Sequence, residues 1–358
     1  MALPTTYTRA VFTSPGSPLA LETVPLSLPA KNEILVKVQA CGVCFSDQMA
    51  QHNIMGGGFP IVPGHEIIGH VAAVGDGVEG WNVGDRIGGA WHGGHDGTCH
   101  ACKQGLFQMC DNRTVNGETK DGGYAEYCKI RQEAAVKVPS HIDAAKYAPI
   151  LCAGTSVFNA MRRMNVPVGS TVAIQGLGGL GHLAIQYANK FGYRVVALSR
   201  DDKKESLARG LGAHEYIDGS KWDGDYGAAL QKLGGVSLIV TTAPDSGVMD
   251  TLLRGLGLLG KLLILSVPGD IVVNTATMLT YGLSIHHWPA GHALDVEEAI
   301  QFTEIEEINC IVEKFPLQKV NDAFCGSPLS QFKLTADFYY VAAMANGTVR
   351  FRSVITME

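Results

Sequence analysis

Residues Thr171–His182 read TVAIQGLGGLGH, a short apolar run followed by a glycine-rich turn. The apolar residues predict a buried strand, and the segment HLAIQYANKFG after the turn has the spacing of a helix. Between a strand and a helix, the pattern G-x-G-G-x-G predicts a dinucleotide site, because the glycines let a pyrophosphate approach the helix N-terminus. The residues expected at this turn are Gly176, Gly178, Gly179, Leu180 and Gly181.

The residue patterns before and after this stretch differ. On the C-terminal side, strand-like RVVALS and SLIVTTA flank helix-like DKKESLARGLGA, which predicts a Rossmann-type, doubly wound parallel sheet. On the N-terminal side, short apolar runs alternate with Gly, Pro and Asp clusters, which predicts a β-rich, barrel-like domain. We therefore expect an α/β plus β fold in which residues 1–155 begin the β-rich domain, 156–295 form the nucleotide domain and 296–358 return to the first.

The composition fits two globular domains. The chain has 358 residues, 46% apolar and 17% charged, and single cores stop growing beyond about 250–300 residues. A net charge of −6 without a basic run predicts no nucleic-acid partner and no membrane partner. The segment MALPTTYTRAVF lacks the pattern of an export signal, and nine cysteines favour reduced thiols over a disulfide framework, so we expect a cytoplasmic protein.

Cysteine, histidine and glutamate residues that could bind a metal occur in the sequence pattern of a catalytic zinc site. They are Cys44 in CGVCFSD, His65 and Glu66 in PGHE, and Cys152 in PILCAG, with Ser46 close to the first. A catalytic zinc takes three protein ligands and leaves one position open for water or substrate. Cys44, His65 and Cys152 could supply that set, although a single buried cysteine is usually only structural.

The ordered motifs resemble those of the zinc-dependent medium-chain alcohol dehydrogenases over nearly the whole chain. They are CGVCFSD, PGHE, VGDR, the cysteine-rich segment 96–110, DGGYAE, CAG at 152–154 and the glycine pattern. The likeness is greatest to fungal-type and cinnamyl-alcohol-dehydrogenase-like members. It implies a GroES-like β-rich catalytic domain beside the Rossmann domain, and hydride transfer between NAD(P)H and an alcohol–aldehyde or ketone pair.

The resemblance also implies roles for individual residues. Cys44, His65 and Cys152 would be the zinc ligands, Glu66 an acid that can visit the metal, and Asp47 a partner that orients His65. Ser46 and His52 match the proton relay of the family, in which a hydroxyl takes the alcohol proton and passes it towards imidazole. Trp91 matches a position that lines the substrate pocket. Taken alone, His52 would be interpreted as a surface histidine.

A second cysteine cluster has zinc-like spacing with one thiol missing. Family members hold a structural zinc with C-x2-C-x2-C-x7-C, and here the first position is Asp96. A carboxylate oxygen can ligate zinc, so the expected set is Asp96, Cys99, Cys102 and Cys110, which gives two zinc ions per chain. His92 and His95 are competing donors, and loss of metal from this segment is the alternative.

The end of the second nucleotide-domain strand predicts the cofactor. RVVAL ends without the carboxylate that would exclude a 2′-phosphate, and a hydroxyl and cations stand there instead: Ser199, Arg200 and Lys204. We therefore predict a preference for NADP(H) over NAD(H). Asp201 and Asp202 follow the strand and are expected to cap the next helix. Arg352 resembles a family arginine that contacts cofactor phosphates, with a surface strand charge as the alternative.

The leading hypothesis is a zinc-dependent, NADP(H)-preferring alcohol dehydrogenase or aldehyde reductase acting on a small molecule. The alternatives are a zinc-free NADPH quinone or enoyl reductase and a non-catalytic NADPH-binding protein. The intact zinc triad opposes the first, and the relay residues Ser46 and His52 oppose the second. We expect a homodimer or homotetramer, since the last nucleotide-domain strands can pair across a twofold axis. The segment 325–341 looks inserted relative to the family, either as a genuine loop or as an error of gene prediction.

Overall fold

The computed structural model describes residues 2–326 and 351–357. The described residues form two compact units, one of residues 2–155, 289–326 and 351–357 and one of residues 156–288. Nearly all of the segment 325–341 lies outside the described residues. Across the described part of the chain, none of the helices has both the length and the hydropathy needed to span a bilayer.

Short strands and helices are numbered in the order in which the chain forms them. The strands are β1 (Thr6–Val11), β2 (Ala20–Pro25), β3 (Glu33–Gly42), β4 (Ile67–Val74), β5 (Arg86–Gly89), β6 (His92–Gly94), β7 (Thr114–Val115), β8 (Tyr127–Arg131), β9 (Ala135–Lys137), β10 (Thr171–Gln175), β11 (Arg194–Ser199), β12 (Glu215–Asp218), β13 (Val236–Thr241), β14 (Leu256–Ile264), β15 (Ser284–His286), β16 (Val312–Pro316) and β17 (Arg352–Thr356). The α-helices are α1 (Asp47–Gln51), α2 (His100–Lys103), α3 (Ala144–Tyr147), α4 (Ala153–Arg163), α5 (Gly181–Lys190), α6 (Glu205–Gly210), α7 (Tyr226–Gln231), α8 (Met249–Arg254), α9 (Thr275–Tyr281), α10 (Ala293–Ile305) and α11 (Val320–Gly326).

The first unit is built on a seven-stranded sheet centred on β3. Its order is β16-β17-β3-β4-β5-β9, with β8 also paired to β3. The β3 residues are mostly buried, as expected for a central strand, and Ile34, Val36 and Val38 pack in one core with Tyr124. Because β3 and β4 are antiparallel and Cys41 pairs with Ile67, the loop after β3 and the residues before β4 lie at the same end of the sheet. That end carries the first metal-ligand cluster.

The second unit is a parallel six-stranded sheet covered by helices. Its order is β12-β11-β10-β13-β14-β15, which in chain order is the 3-2-1-4-5-6 arrangement of dinucleotide-binding folds. Buried Val, Ile and Leu fill the central strands, since a sheet covered on both faces needs apolar side chains on both. The predicted fold class, a GroES-like β-rich domain plus a Rossmann domain, is confirmed.

The return to the first unit begins seven residues earlier than the sequence-based limit of 295, because the second unit ends at residue 288. The helix α10 therefore lies wholly in the first unit, where it contacts β9. The side chain of Glu297 on α10 accepts a hydrogen bond of 2.8 Å from the backbone N–H of Lys137 on β9. Sequence texture alone did not indicate this contact, since it joins residues far apart in the chain.

Candidate metal and cofactor sites

Four predicted metal ligands come together where β3 ends and β4 begins. The donor atoms of Cys44, His65, Glu66 and Cys152 all lie within 4.8 Å of one another, and all four residues are buried. Cys44 follows β3, the pair at 65 and 66 precedes β4, and Cys152 immediately precedes α4. The sheet pairing thus assembles residues that are distant in sequence.

The geometry of this cluster fits a zinc ion. The Sγ atoms of Cys44 and Cys152 are 3.8 Å apart, and two thiolates each about 2.3 Å from a tetrahedral zinc would lie about 3.8 Å apart. Neither ring nitrogen of His65 has a hydrogen-bond partner of standard geometry among the described residues, although both are buried. A metal would satisfy Nε2, whereas without one its burial costs free energy.

The pKa values of the Cys44 and Cys152 thiols are shifted in opposite directions. The hydrogen bond from Cys152 lowers the pKa of Cys44 well below its usual value, with the charge of His65 acting in the same direction. The same contact and burial raise the pKa of Cys152. The proton of the pair therefore stays on Cys152, and a cation that bound both sulfurs would displace it.

Asp47 lies behind His65 and is held from two sides. Its Oδ1 is 3.2 Å from Nδ1 of His65, and both side chains are fully buried. Its Oδ2 accepts hydrogen bonds from the backbone N–H of Cys44 at 2.8 Å and from the hydroxyl of Tyr124 at 2.7 Å. A carboxylate in this place would orient a ligating imidazole, raise its basicity and leave Nε2 available to a metal.

Glu66 is paired with an arginine from the last strand. Arg352 on β17 donates from Nη2 to Oε1 of Glu66, and both side chains are buried. Burial raises the pKa of Glu66 to about 7, while the Arg352 charge opposes that rise. The alternative of a surface strand charge for Arg352 is wrong, because its side chain is 4% exposed. The predicted contact of Arg352 with cofactor phosphate stays a prediction.

Of the other predicted side chains, Ser46 and Trp91 lie beside the first cluster, and His52 lies at the far end of α1. Ser46 Oγ is 3.8 Å from Cys44 Sγ, and Ser46 and His52 flank the two ends of α1. Burial lowers the pKa of His52, so its imidazole is neutral at neutral pH and can accept a proton. Trp91 packs edge-on against the ring of His65, with 4.8 Å between the ring centres.

The second cysteine cluster is also assembled. One donor atom from each of Asp96, Cys99, Cys102 and Cys110 lies within 4.8 Å of the others. The Sγ of Cys110 accepts backbone N–H groups from Asp96 and Asn112 at 3.5 and 3.3 Å. Asp96 Oδ1 accepts two backbone N–H groups, and Oδ2 accepts the Asn112 amide at 2.6 Å. That amide bond is the main cause lowering the pKa of Asp96 and favours the ionised, ligating form.

The competing donors in this segment contact each other instead. His92 Nε2 lies 3.2 Å from His95 Nδ1, and His95 stacks on Phe107 with ring centres 4.2 Å apart. Burial lowers the pKa of His92 to about 3, so this pair is neutral. Within the described residues, these two histidines do not join either group of three or more clustered metal-ligand donors.

The glycine pattern lies between β10 and α5, as predicted. Gly176 has a positive φ of +89°. A Cβ on Gly181 would be 1.8 Å from the carbonyl oxygen of Gly176, which makes glycine necessary where the helix meets the turn. A Cβ on Gly178 would meet nothing within 4 Å. The open side of the turn is therefore free for a phosphate to approach the backbone N–H groups.

The side chains expected beside the ribose lie near this turn. Lys204 donates from Nζ to the carbonyl oxygen of Leu177 at 3.0 Å, and burial lowers its pKa. Ser199 ends β11 and hydrogen-bonds with Tyr216. The prediction that Asp201 or Asp202 caps the next helix is wrong, because α6 has Lys204 at its N-cap and no side-chain capping bond.

Comparisons with known proteins now define the class. Residues 30–140 match the alcohol dehydrogenase GroES-like domain, and residues 179–304 match the zinc-binding dehydrogenase domain. A solved structure, acetophenone reductase from Geotrichum candidum in complex with NAD, has a TM-score of 0.82 and 26% identity, covering 99% of this chain and 98% of that one. The fold and the ligand cluster therefore define a zinc-binding dehydrogenase.

The similarity to curated relatives is more specific. The chain is 63% identical over 354 residues to the alcohol dehydrogenase patD of Penicillium expansum, covering 99% of this chain and 98% of that one. It is 57% identical over 358 residues to the alcohol dehydrogenase notN of an Aspergillus species, covering both chains fully. The chain belongs to the zinc-binding alcohol dehydrogenase family and is an NAD(P)-dependent alcohol dehydrogenase. The predicted family and enzyme class are confirmed.

Sequence reasoning missed four side chains that contact these sites. Tyr124 holds Asp47, Asn112 holds Asp96, Glu118 accepts a backbone N–H from α1, and Tyr216 hydrogen-bonds with Ser199. Tyr124 lies within the motif DGGYAE, which offered a signal. The other three lie in loops or at a sheet edge without a recognisable pattern.

Proposed function

We propose that this chain is an NADP(H)-preferring, zinc-dependent enzyme that interconverts an alcohol and an aldehyde or ketone. The observation that carries the proposal is the buried cluster of Cys44, His65 and Cys152, whose two sulfurs are separated by 3.8 Å. Among the described residues, Nε2 of His65 has no hydrogen-bond partner of standard geometry. We assign these three residues as the ligands of the catalytic zinc. Glu66 is an acid beside them, held by Arg352.

A zinc ion held there would act as a Lewis acid that favours the alkoxide form of an alcohol. The protein supplies the proton pathway. The Ser46 hydroxyl, next to Cys44, would take up the alcohol proton while releasing its own, and the neutral imidazole of His52 at the far end of α1 would accept the released proton on its way to solvent. Asp47 keeps His65 in the tautomer that presents Nε2.

The preference for NADP(H) is supported by the end of β11. Ser199, Arg200 and Lys204 offer a hydroxyl and two cations, and the strand end has no carboxylate. Asp201, the nearest acid along the chain, is ion-paired with Lys203 at 3.2 Å. A 2′-phosphate would gain charge-assisted hydrogen bonds from these groups. The turn residues Gly176, Gly178, Gly179, Leu180 and Gly181 would hold the pyrophosphate, with Arg352 as a proposed further phosphate contact.

A second zinc is proposed for the cysteine segment. Asp96 Oδ2, oriented by Asn112, would complete a tetrahedral set with the sulfurs of Cys99, Cys102 and Cys110. Two backbone N–H groups donate to the Cys110 sulfur and hold it beside the other three donors. This metal would hold the loop between β6 and β7 and take no part in the chemistry.

Other features support coarser proposals. Trp91 beside His65 gives the site an apolar aromatic wall, which favours a medium-sized or aromatic aldehyde. In the second unit, the side chains of Leu258, Leu259 and Leu279 are all more than 70% exposed on β14 and α9, next to the edge strand β15. An apolar surface beside an edge strand favours assembly into a homodimer or homotetramer. The eight free cysteines among the described residues support a reducing, cytoplasmic location.

The decisive experiment measures zinc content and NADPH oxidation with a panel of aldehydes. We expect two zinc ions per chain in the wild type, and one zinc with loss of turnover in Cys44→Ser. Cys128→Ser is the matched control, since Cys128 is a buried thiol outside both clusters. Full turnover by Cys44→Ser would exclude the assigned ligand set and favour the zinc-free reductases. Zinc and cofactor binding without turnover of any substrate would favour the non-catalytic alternative.

A further inference from the structure

The serine at the N-cap of α1, Ser46, does not cap the helix with its side chain. Serine at an N-cap normally uses its hydroxyl to accept a backbone N–H from the first turn. Ser46 has helical φ and ψ of −63° and −18° and makes no side-chain capping bond. Its Oγ instead lies 3.8 Å from Cys44 Sγ. The hydroxyl is therefore directed to the metal-ligand cluster.

A glutamate from a distant loop supplies an acceptor to this helix. Glu118 Oε1 accepts the backbone N–H of Ala50 at 3.0 Å, across 68 positions in sequence. Glu118 is 3% exposed and Ala50 is 3% exposed, so water does not compete freely for this bond.

The loop that carries Glu118 is itself firmly held. The N–H of Gly117 donates to the Lys120 carbonyl at 2.8 Å, and the Val115 N–H donates to the Thr119 hydroxyl at 2.8 Å. A Cβ on Gly117, whose φ is +77°, would lie 2.5 Å from the backbone nitrogen of Gly64. The loop thus packs directly on the residue before the ligand His65.

We infer that Glu118 is a positioning residue for the proton relay. Its bond to Ala50 ties α1, which carries Asp47 and lies between Ser46 and His52, to the loop that packs on Gly64. The two relay side chains at the ends of α1 are thereby held in place. This inference rests on the proposed function, since it assigns the relay to Ser46 and His52.

The test compares two replacements of nearly equal size. Glu118→Gln keeps an acceptor oxygen, and Glu118→Met removes it while filling the same volume. Glu126→Met is the matched control, because the Glu126 carboxylate also accepts a backbone N–H, but from Thr8 on β1, at 2.6 Å. Hydrogen–deuterium exchange of the peptide covering residues 46–52 reports α1 directly, whether or not the protein turns over substrate.

We expect exchange in that peptide to accelerate about tenfold in Glu118→Met and to stay at the wild-type rate in Glu118→Gln and Glu126→Met, since about 1.4 kcal/mol of lost protection is a tenfold change. With an active wild type, kcat of Glu118→Met falls about tenfold with KM little changed, and its solvent deuterium isotope effect rises because proton transfer becomes limiting. In Glu118→Gln, we expect kcat and the solvent deuterium isotope effect to keep their wild-type values.

Two results would overturn the inference. The first is unchanged exchange of residues 46–52 in Glu118→Met, and the second is a Glu118→Gln variant as impaired as Glu118→Met. Should Glu118→Met not fold, Glu118→Gln decides alone: wild-type kcat, isotope effect and exchange support the inference, and impairment contradicts it. A wild-type protein that binds zinc but turns over no substrate would refute the proposed function. The exchange result would then still show whether Glu118 holds α1.

Discussion

The hydrogen bond from Tyr124 to Asp47 lends itself to a quantitative test. Tyr124→Phe removes one hydroxyl from a fully buried ring and leaves the ring packing unchanged. The lost bond of 2.7 Å ends on Oδ2 of Asp47, whose other oxygen faces His65 at 3.2 Å. The change therefore loosens the carboxylate behind His65, a proposed zinc ligand, without touching any of the proposed ligands.

The expected loss of zinc affinity depends on the hydrogen bonds that Asp47 keeps in Tyr124→Phe. A hydrogen bond to a charged group contributes about 1.5–3 kcal/mol. Oδ2 keeps the bond from the Cys44 N–H at 2.8 Å, so the acceptor is not left unpaired and the lower value applies. A loss of about 1.5 kcal/mol corresponds to roughly tenfold weaker zinc binding, at the lower limit of about 10–100-fold for groups that orient ligands.

The assay is zinc retention against a graded chelator series, followed by elemental analysis. The control is Tyr193→Phe, which removes a tyrosine hydroxyl that donates to the Val166 carbonyl at 3.2 Å in the nucleotide unit. We expect one of two zinc ions to be lost at a chelator concentration about tenfold lower in Tyr124→Phe than in the control. Identical retention in the two variants would refute the reasoning that Tyr124 acts through Asp47.

Three further predictions concern the cysteine segment and the cofactor. Asn112→Ala removes the bond that orients Asp96, so we expect about 10–100-fold weaker zinc binding there, with the catalytic zinc retained, by elemental analysis after chelation; loss of both ions would contradict it. Lys204→Ala should lower kcat/KM about tenfold or more for NADPH and little for NADH; equal losses would argue against a 2′-phosphate contact. Because burial lowers the pKa of Lys204, its charge is lost at a lower pH than for an ordinary lysine. The Kd for NADPH should therefore rise on the alkaline side while that for NADH stays level, and Lys204→Arg should abolish the rise in a fluorescence titration.

The sequence predicted the fold well where local patterns determine it. The strand, glycine turn and helix around residues 171–190 depend on nearest neighbours, since only glycine fits where Gly181 meets the Gly176 carbonyl. The β-rich unit was predicted from alternating apolar runs and turn residues. Its central pairing, β3 with β4, β8 and β17, joins distant segments, and periodicity carries no information on which strands pair.

The site was also predicted only where its residues belong to local sequence motifs. Cys44, His65 and Cys152 belong to short motifs that resemble those of the family, and the cysteine segment has zinc-like spacing; the structure brings each set together. The partners Glu118 and Asn112 escaped notice because a glutamate or asparagine in a loop is ordinarily a solvated surface residue. Their roles depend on burial and on backbone N–H groups contacted across the fold, which residue types do not reveal. The burial of Arg352 against Glu66 was unforeseen for that reason.

The discontinuity of the metal-binding unit affects how the protein is made. The nucleotide unit is one continuous stretch and can fold as soon as residue 288 has left the ribosome. The other unit must wait for β17, which pairs with both β3 and β16 and supplies the arginine beside Glu66. Residue 352 is synthesised 200 residues after Cys152, a delay of about 10–40 seconds at roughly 5–20 residues per second. During that interval Glu66 lacks its buried arginine partner, and the part of β3 that pairs with β17 in the finished fold is open to wrong pairing.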